Sequence, residues 1–143
     1  MTFIVCEDGA EYTDRFQRFL GGRFVFVRAG HFADALSLAP GACGVLLDLD
    51  FRRTASTLLV DERGERADAS AAEVQGILIL RALRARGVQL PALLFADLDD
   101  DARSARLEAE LAPLRVVPLS AGLAQIAQLL REMSSATGNV AKS

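Results

Sequence analysis

Residues 45–49 read VLLDL, and residues 2–6, some forty positions earlier, read TFIVC. Neither run alternates apolar with polar residues. Continuous apolarity over so few positions marks strands covered on both faces, as central strands of a parallel sheet are. Each run gives way to acids: Glu7-Asp8 follow the first, and Asp48 and Asp50 close the second. Two further runs have the same character, residues 90–96 (LPALLFA) and 115–119 (RVVPL), and residues 23–27 (RFVFV) supply one more. Five short strands are therefore expected.

Between them lie helix patterns. Tyr12, Phe16, Phe19 and Leu20 recur at three- and four-residue spacing and stop at Gly21-Gly22. Residues 31–38 form a shorter helix closed by Pro40-Gly41. Residues 71–86 carry a wide apolar stripe (Val74, Ile77, Leu78, Leu80, Leu83), with Ser70 and Glu73 placed as a capping box. Residues 102–111 and 121–133 complete the set, and residues 134–143 read as a flexible tail. Residues 51–70 break the rhythm. They are polar, with one apolar island at Leu58-Leu59-Val60 before Asp61-Glu62-Arg63-Gly64, and suit either a β-hairpin or a mobile loop.

Alternation of strand and helix with right-handed crossovers gives an α/β fold, a doubly wound parallel sheet with helices on both faces. The expected architecture is flavodoxin-like, (βα)5 with strand order 2-1-3-4-5, as one domain over 1–133 with an insertion at 51–70 between strand three and helix three. Composition agrees. The chain has 143 residues, 51% hydrophobic and 24% charged, enough apolar side chain to exclude disorder. No stretch of about 18 residues is apolar and uncharged, which argues against a membrane span. A net charge of −3 leaves no basic footprint for nucleic acid. Cys6 and Cys43 form no metal-ligand pattern, and no basic segment leads a long apolar run, so a cytoplasmic protein with reduced thiols is expected.

Ligands in such sheets sit beyond the carboxyl ends of the strands, and strands one and three are neighbours in this order. Glu7, Asp8, Asp48 and Asp50 would then converge in one cleft. Carboxylates so close are costly unless a divalent cation neutralises them or one takes up a proton. An oxygen-lined pocket suits Mg2+, which would favour transfer of a phosphoryl group to a carboxylate.

On these residues the chain resembles the receiver domain of bacterial two-component response regulators, from Thr2 to about Met133. The acidic pair after strand one, the Asp at the end of strand three in GVLLDLD, the helix QGILILRALRARG and the Pro-led PALLFAD all match. The resemblance implies Asp48 as phospho-acceptor. It implies Mg2+ bound by the side chains of Glu7, Asp8 and Asp48 and by the backbone carbonyl of Asp50. Departures stand beside the matches. Ala96 stands where receivers have Ser or Thr, Val117-Pro118 stands where they have Lys-Pro, and Lys142 is the only lysine. Arg115 takes the aromatic position of strand five. The chain thus looks like an atypical receiver, or pseudo-receiver, with weak coupling between site and surface.

The expected function is a non-enzymatic signalling module of a two-component phosphorelay. It would act through a protein partner, either a sensor kinase or a downstream signalling protein, and touch neither nucleic acid nor membrane. Since the sequence ends after the fifth helix, a stand-alone receiver is expected. For a homodimer through the fourth helix, fifth strand and fifth helix, Leu107, Leu111 and Leu123 are the candidates if they are exposed. The competing reading is a haloacid-dehalogenase-like phosphatase or phosphotransferase, because LLDLDFRRT superficially resembles that family's first motif, with Asp48 as nucleophile and Asp50 as acid/base. That motif normally opens the chain, however. A flavin or nucleotide binder is disfavoured by the lack of a phosphate-cradling glycine loop.

Overall fold

The computed structural model describes the backbone of residues 1–142 and the side chains of residues 1–135. Five strands form one sheet: β1 (Thr2–Cys6), β2 (Val25–Ala29), β3 (Gly44–Asp48), β4 (Ala92–Phe95) and β5 (Leu114–Val117). All neighbours are parallel, in the order β2-β1-β3-β4-β5. Helices α1 (Glu11–Leu20), α2 (Phe32–Leu38), α3 (Gln75–Ala85), α4 (Asp101–Glu110) and α5 (Leu123–Lys142) connect and close it. The expected flavodoxin-like architecture is what the chain adopts.

The strands are apolar throughout because side chains alternate between two covered faces. Phe3, Val5, Leu46, Leu93 and Phe95 pack on one face with Phe16 of α1 and Ile126 and Leu130 of α5. Ile4, Cys6, Val45, Leu47 and Leu94 pack on the other with Ala35 of α2, Leu80 and Leu83 of α3 and Leu107 of α4. The first layer is aromatic: Phe16 lies 5.6 Å from Phe26 and 5.7 Å from Phe95, centroid to centroid. Each such buried side chain contributes about 1.5–3 kcal/mol relative to exposure.

Several boundaries differ from the sequence reading. β2 starts at Val25, since Phe24 turns in as a buried corner, its N–H donating to the Leu20 carbonyl at 3.3 Å. The third helix opens with a 3-10 turn over Ala69–Val74, and Asp68, not a Ser70–Glu73 box, caps it by accepting from Ser70 N at 3.0 Å. The helix expected to end near Met133 runs on, so the segment expected as a tail continues α5 through Lys142; Ser143 and the side chains from residue 136 onward lie outside the described residues. Leu107 and Leu111 are each only 5% exposed, so they belong to the core and cannot form the dimer face expected of them. Leu123 is half-buried.

Within residues 51–70 the chain doubles back at one isolated bridge, and its apolar residues pack against the core. Phe51 is fully buried, and Leu59 and Val60 are buried with it. An antiparallel bridge joins Val60 to Arg66. At the turn, Asp61 Oδ1 accepts from Arg63 N (2.8 Å) and Glu65 N (3.1 Å), and Gly64 takes φ +82°, a left-handed conformation costly to other residues. The buried Gln75 amide holds this segment to α3, accepting from Val60 N at 2.9 Å and donating to Val60 O at 3.0 Å. Every polar atom of that amide-to-backbone pair is thereby satisfied, which makes its burial tolerable.

Candidate functional site

In the β1–β3 register Cys6 lies opposite Leu47. The next residues, Glu7 and Asp48, therefore leave the sheet side by side at its carboxyl edge. Glu7 is 1% exposed, and its carboxylate is committed to the start of α1. Oε1 accepts from Tyr12 N (3.1 Å), while Oε2 accepts from Thr13 N (2.7 Å) and Thr13 Oγ1 (2.6 Å). A carboxylate on free N–H groups at a helix start is favoured by the helix dipole as well.

Asp8 is held differently. Its Oδ1 accepts from Arg53 Nη2 and its Oδ2 from Arg53 N, each at 3.0 Å. The same guanidinium forks onto Glu11, with Nη1 to Oε1 at 2.7 Å and Nη2 to Oε2 at 3.0 Å. That hydrogen-bonded cation holds the Glu11 carboxyl down at about 2. From the β2 end, Arg28 donates to the backbone carbonyls of Asp8 (3.0 Å) and Gly9.

Asp48 has no such partner. Its Oδ1 accepts one hydrogen bond, from Leu49 N at 2.9 Å, and no described group donates to Oδ2. Partial burial is the main reason its pKa rises to about 6. The Leu49 N–H opposes that rise, and the nearby charges of Asp8, Glu7 and Asp50 add to it. Tyr12 overlooks the site, its ring stacked on Phe95 at 5.2 Å, and burial together with Asp48 and Glu7 pushes its phenol up. Asp50 points away to its own turn, accepting from Arg52 N (2.9 Å) and Arg52 Nε (2.5 Å). Across the sheet, Ala96 is buried, and Asp97 Oδ1 accepts from Leu119 N at 2.9 Å, tying the β4–α4 loop to the β5–α5 loop. Arg115 on β5 is exposed, 3.9 Å from Glu108.

A divalent cation needs several oxygens turned toward one point. Glu7 is engaged by α1 and Asp8 by Arg53. Among the described residues, no three His, Cys, Asp or Glu side chains are grouped to hold a metal ion in the positions that Arg53 and α1 now give them. This arrangement does not fit the Mg2+ that the resemblance implies. The structure thus brings Glu7, Asp8 and Asp48 to one hollow and places Asp50 at its edge. Sequence reading missed Glu11, Thr13, Arg28 and the guanidinium of Arg53. Thr13, six residues after Glu7, was the one local signal for the Glu7 contact.

No protein-family model and no curated protein matches the chain. Solved structures do. A Francisella response regulator receiver domain superposes with a TM-score of 0.68 at 12% identity, covering 95% of this chain and 98% of that one. The BeF3-activated N-terminal receiver domain of Klebsiella pneumoniae RstA gives 0.66 at 19% identity, covering 94% and 98%. A Rhodopirellula baltica structure described as an adenylate cyclase gives 0.68 at 12%, covering 99% and 92%. The fold is that of response-regulator receiver domains over nearly the whole chain. No helix among the described residues is long and apolar enough to cross a membrane.

Proposed function

We propose that this chain is an atypical receiver module that works by protein–protein contact, with Asp48, of the three acids Glu7, Asp8 and Asp48, as the one open to a phosphoryl group. The observation that carries this reading is the hollow at the ends of β1 and β3. There Glu7, Asp8 and Asp48 meet in receiver fashion, yet only Asp48 keeps an oxygen that no described group engages. The groups that would answer a phosphoryl group are lacking there: Ala96 offers no hydroxyl, and β5 ends Val116-Val117, followed by Pro118, with no lysine. Asp97 holds Leu119 N instead, so the two loops are joined by a bond that does not depend on Asp48. The partner, a kinase or a downstream signalling protein, is met by a surface already in its working form.

The test treats the full chain with acetyl phosphate and Mg2+, reading intact mass and the backbone amide spectrum. If Asp48 reacts, its Oδ2 attacks phosphorus and acetate leaves, giving one acyl phosphate that the Asp48→Asn variant cannot form. The expected result is one phosphoryl group per chain with amide shifts confined to the neighbourhood of Asp48; no reaction would remove Asp48 as the acceptor and leave only the contact module. Shifts reaching Asp97 and Leu119 would overturn the uncoupled reading. Multiple turnover of a phosphomonoester would replace it with the phosphatase alternative, which needs Asp50 free as an acid/base; its carboxylate is bonded to Arg52.

A further inference from the structure

The insertion after β3 brings a cation into the acid hollow. Phe51 fixes its start: the ring is fully buried, its N–H donates to Ala72 O at 2.8 Å, and its carbonyl accepts from Thr54 N at 3.0 Å. In the turn so made, the Arg53 backbone N–H and guanidinium each take one oxygen of Asp8. The guanidinium plane then meets Glu11 with two parallel bonds, the fork geometry that suits arginine and not lysine. A glycine makes room, since a Cβ on Gly9 would run into Glu11 Oε2 and Arg53 Nη2. The Asp8 side chain is 6% exposed and that of Arg53 60%, so an arginine lying largely at the surface is bonded to a carboxylate that is almost fully covered.

We infer that Arg53 is a built-in counter-ion that takes the place of a divalent cation and keeps one out. The physical reason is direct. A divalent ion gains its affinity from oxygens that are free to turn to it, and Asp8 has both oxygens on Arg53. An entering ion would also meet a fixed positive charge a hydrogen bond away from its ligand. This concerns the same hollow as the reading above but does not rest on it. The readout is ion binding with no phosphoryl donor present, so either idea can fail alone.

The experiment titrates Mg2+ and Mn2+ into the full-length protein and its Arg53→Gln variant, following Mn2+ by water-proton relaxation and folding by denaturant melts. The variant alters an exposed side chain and leaves the core intact. Wild type is expected to bind neither ion. Arg53→Gln is expected to bind both, and at a free-ion concentration of about ten times Kd its folding equilibrium constant should rise about eleven-fold. Adding Asp48→Asn to Arg53→Gln should abolish that gain. Wild type binding Mn2+ as tightly as Arg53→Gln would overturn the inference, and so would an Arg53→Gln protein that binds none.

Discussion

Gly76→Ala is expected to destabilise the fold by about 2–3 kcal/mol, although alanine is the better helix former. Gly76 is the second residue of α3 and lies against the chain just beyond β3. A Cβ there would overlap the carbonyl oxygen of Asp48, stand 2.9 Å from its carbonyl carbon and 3.1 Å from Leu49 Cα. Those atoms are backbone and cannot rotate aside as a side-chain tip would. Helix propensity favours alanine by about 1 kcal/mol. Overpacking of a close-packed site costs about 1–3 kcal/mol and occasionally more. Separation of α3 from the sheet edge would also stretch the Gly76 N to Leu49 O hydrogen bond of 3.0 Å, worth about 1 kcal/mol. The clash and the lost bond outweigh propensity, and Tm should fall by roughly 5–12 °C for a domain of this size. A variant melting with or above wild type would show that α3 can slide, and that the position of Asp48 is not set by this glycine.

That contact marks where sequence reading stops. The continuous runs TFIVC, VLLDL and PALLFA declare buried parallel strands by themselves, and crossover handedness then limits their order, so β1, β3 and the hollow between them were legible. β2 was displaced by two residues because Phe24 is as apolar as a strand residue but serves as a corner. Only the hydrogen bond to Leu20 distinguishes the two roles. The acids of the hollow were legible as strand ends, their engagements less so. Arg53 reaches Asp8 across 45 residues and Glu11 across 42, and no local pattern encodes a fork closed over such a distance. Leu107 and Leu111 failed as surface candidates for a related reason. Periodicity shows that a helix has an apolar face, while burial depends on what that face meets. The glycine of QGILIL reads as ordinary helix punctuation until the chain after β3 is laid against it.

Asp48→Asn is expected to make the protein more stable above neutral pH, by about 1–2 kcal/mol, and the gain should shrink as the solution is acidified. The folded site raises the Asp48 pKa from the ordinary 3.8 to about 6 because partial burial disfavours the carboxylate and the charges of Asp8, Glu7 and Asp50 add to the rise. A rise of that size corresponds to about 3 kcal/mol at about 1.4 kcal/mol per pKa unit, and solvent at the open side of the hollow screens away part of it. The sign follows from proton linkage. Below pH 3.8 the group is protonated folded and unfolded alike and costs nothing; between 3.8 and about 6 the unfolded chain ionises first and stability falls; above about 6 the full penalty is present. Asparagine carries no charge to strand. Its carbonyl oxygen can keep the Leu49 N–H bond, and its amide can donate toward the neighbouring acids. Denaturant melts at pH 7.5 should therefore show the whole difference, and melts at pH 5 about half of it. An Asn variant less stable than wild type at pH 7.5 would mean that Asp48 has a cationic partner after all. A gain equal at both pH values would assign it to packing instead of charge. Either result would remove the reason to treat Asp48 as the uncompensated carboxylate of this site.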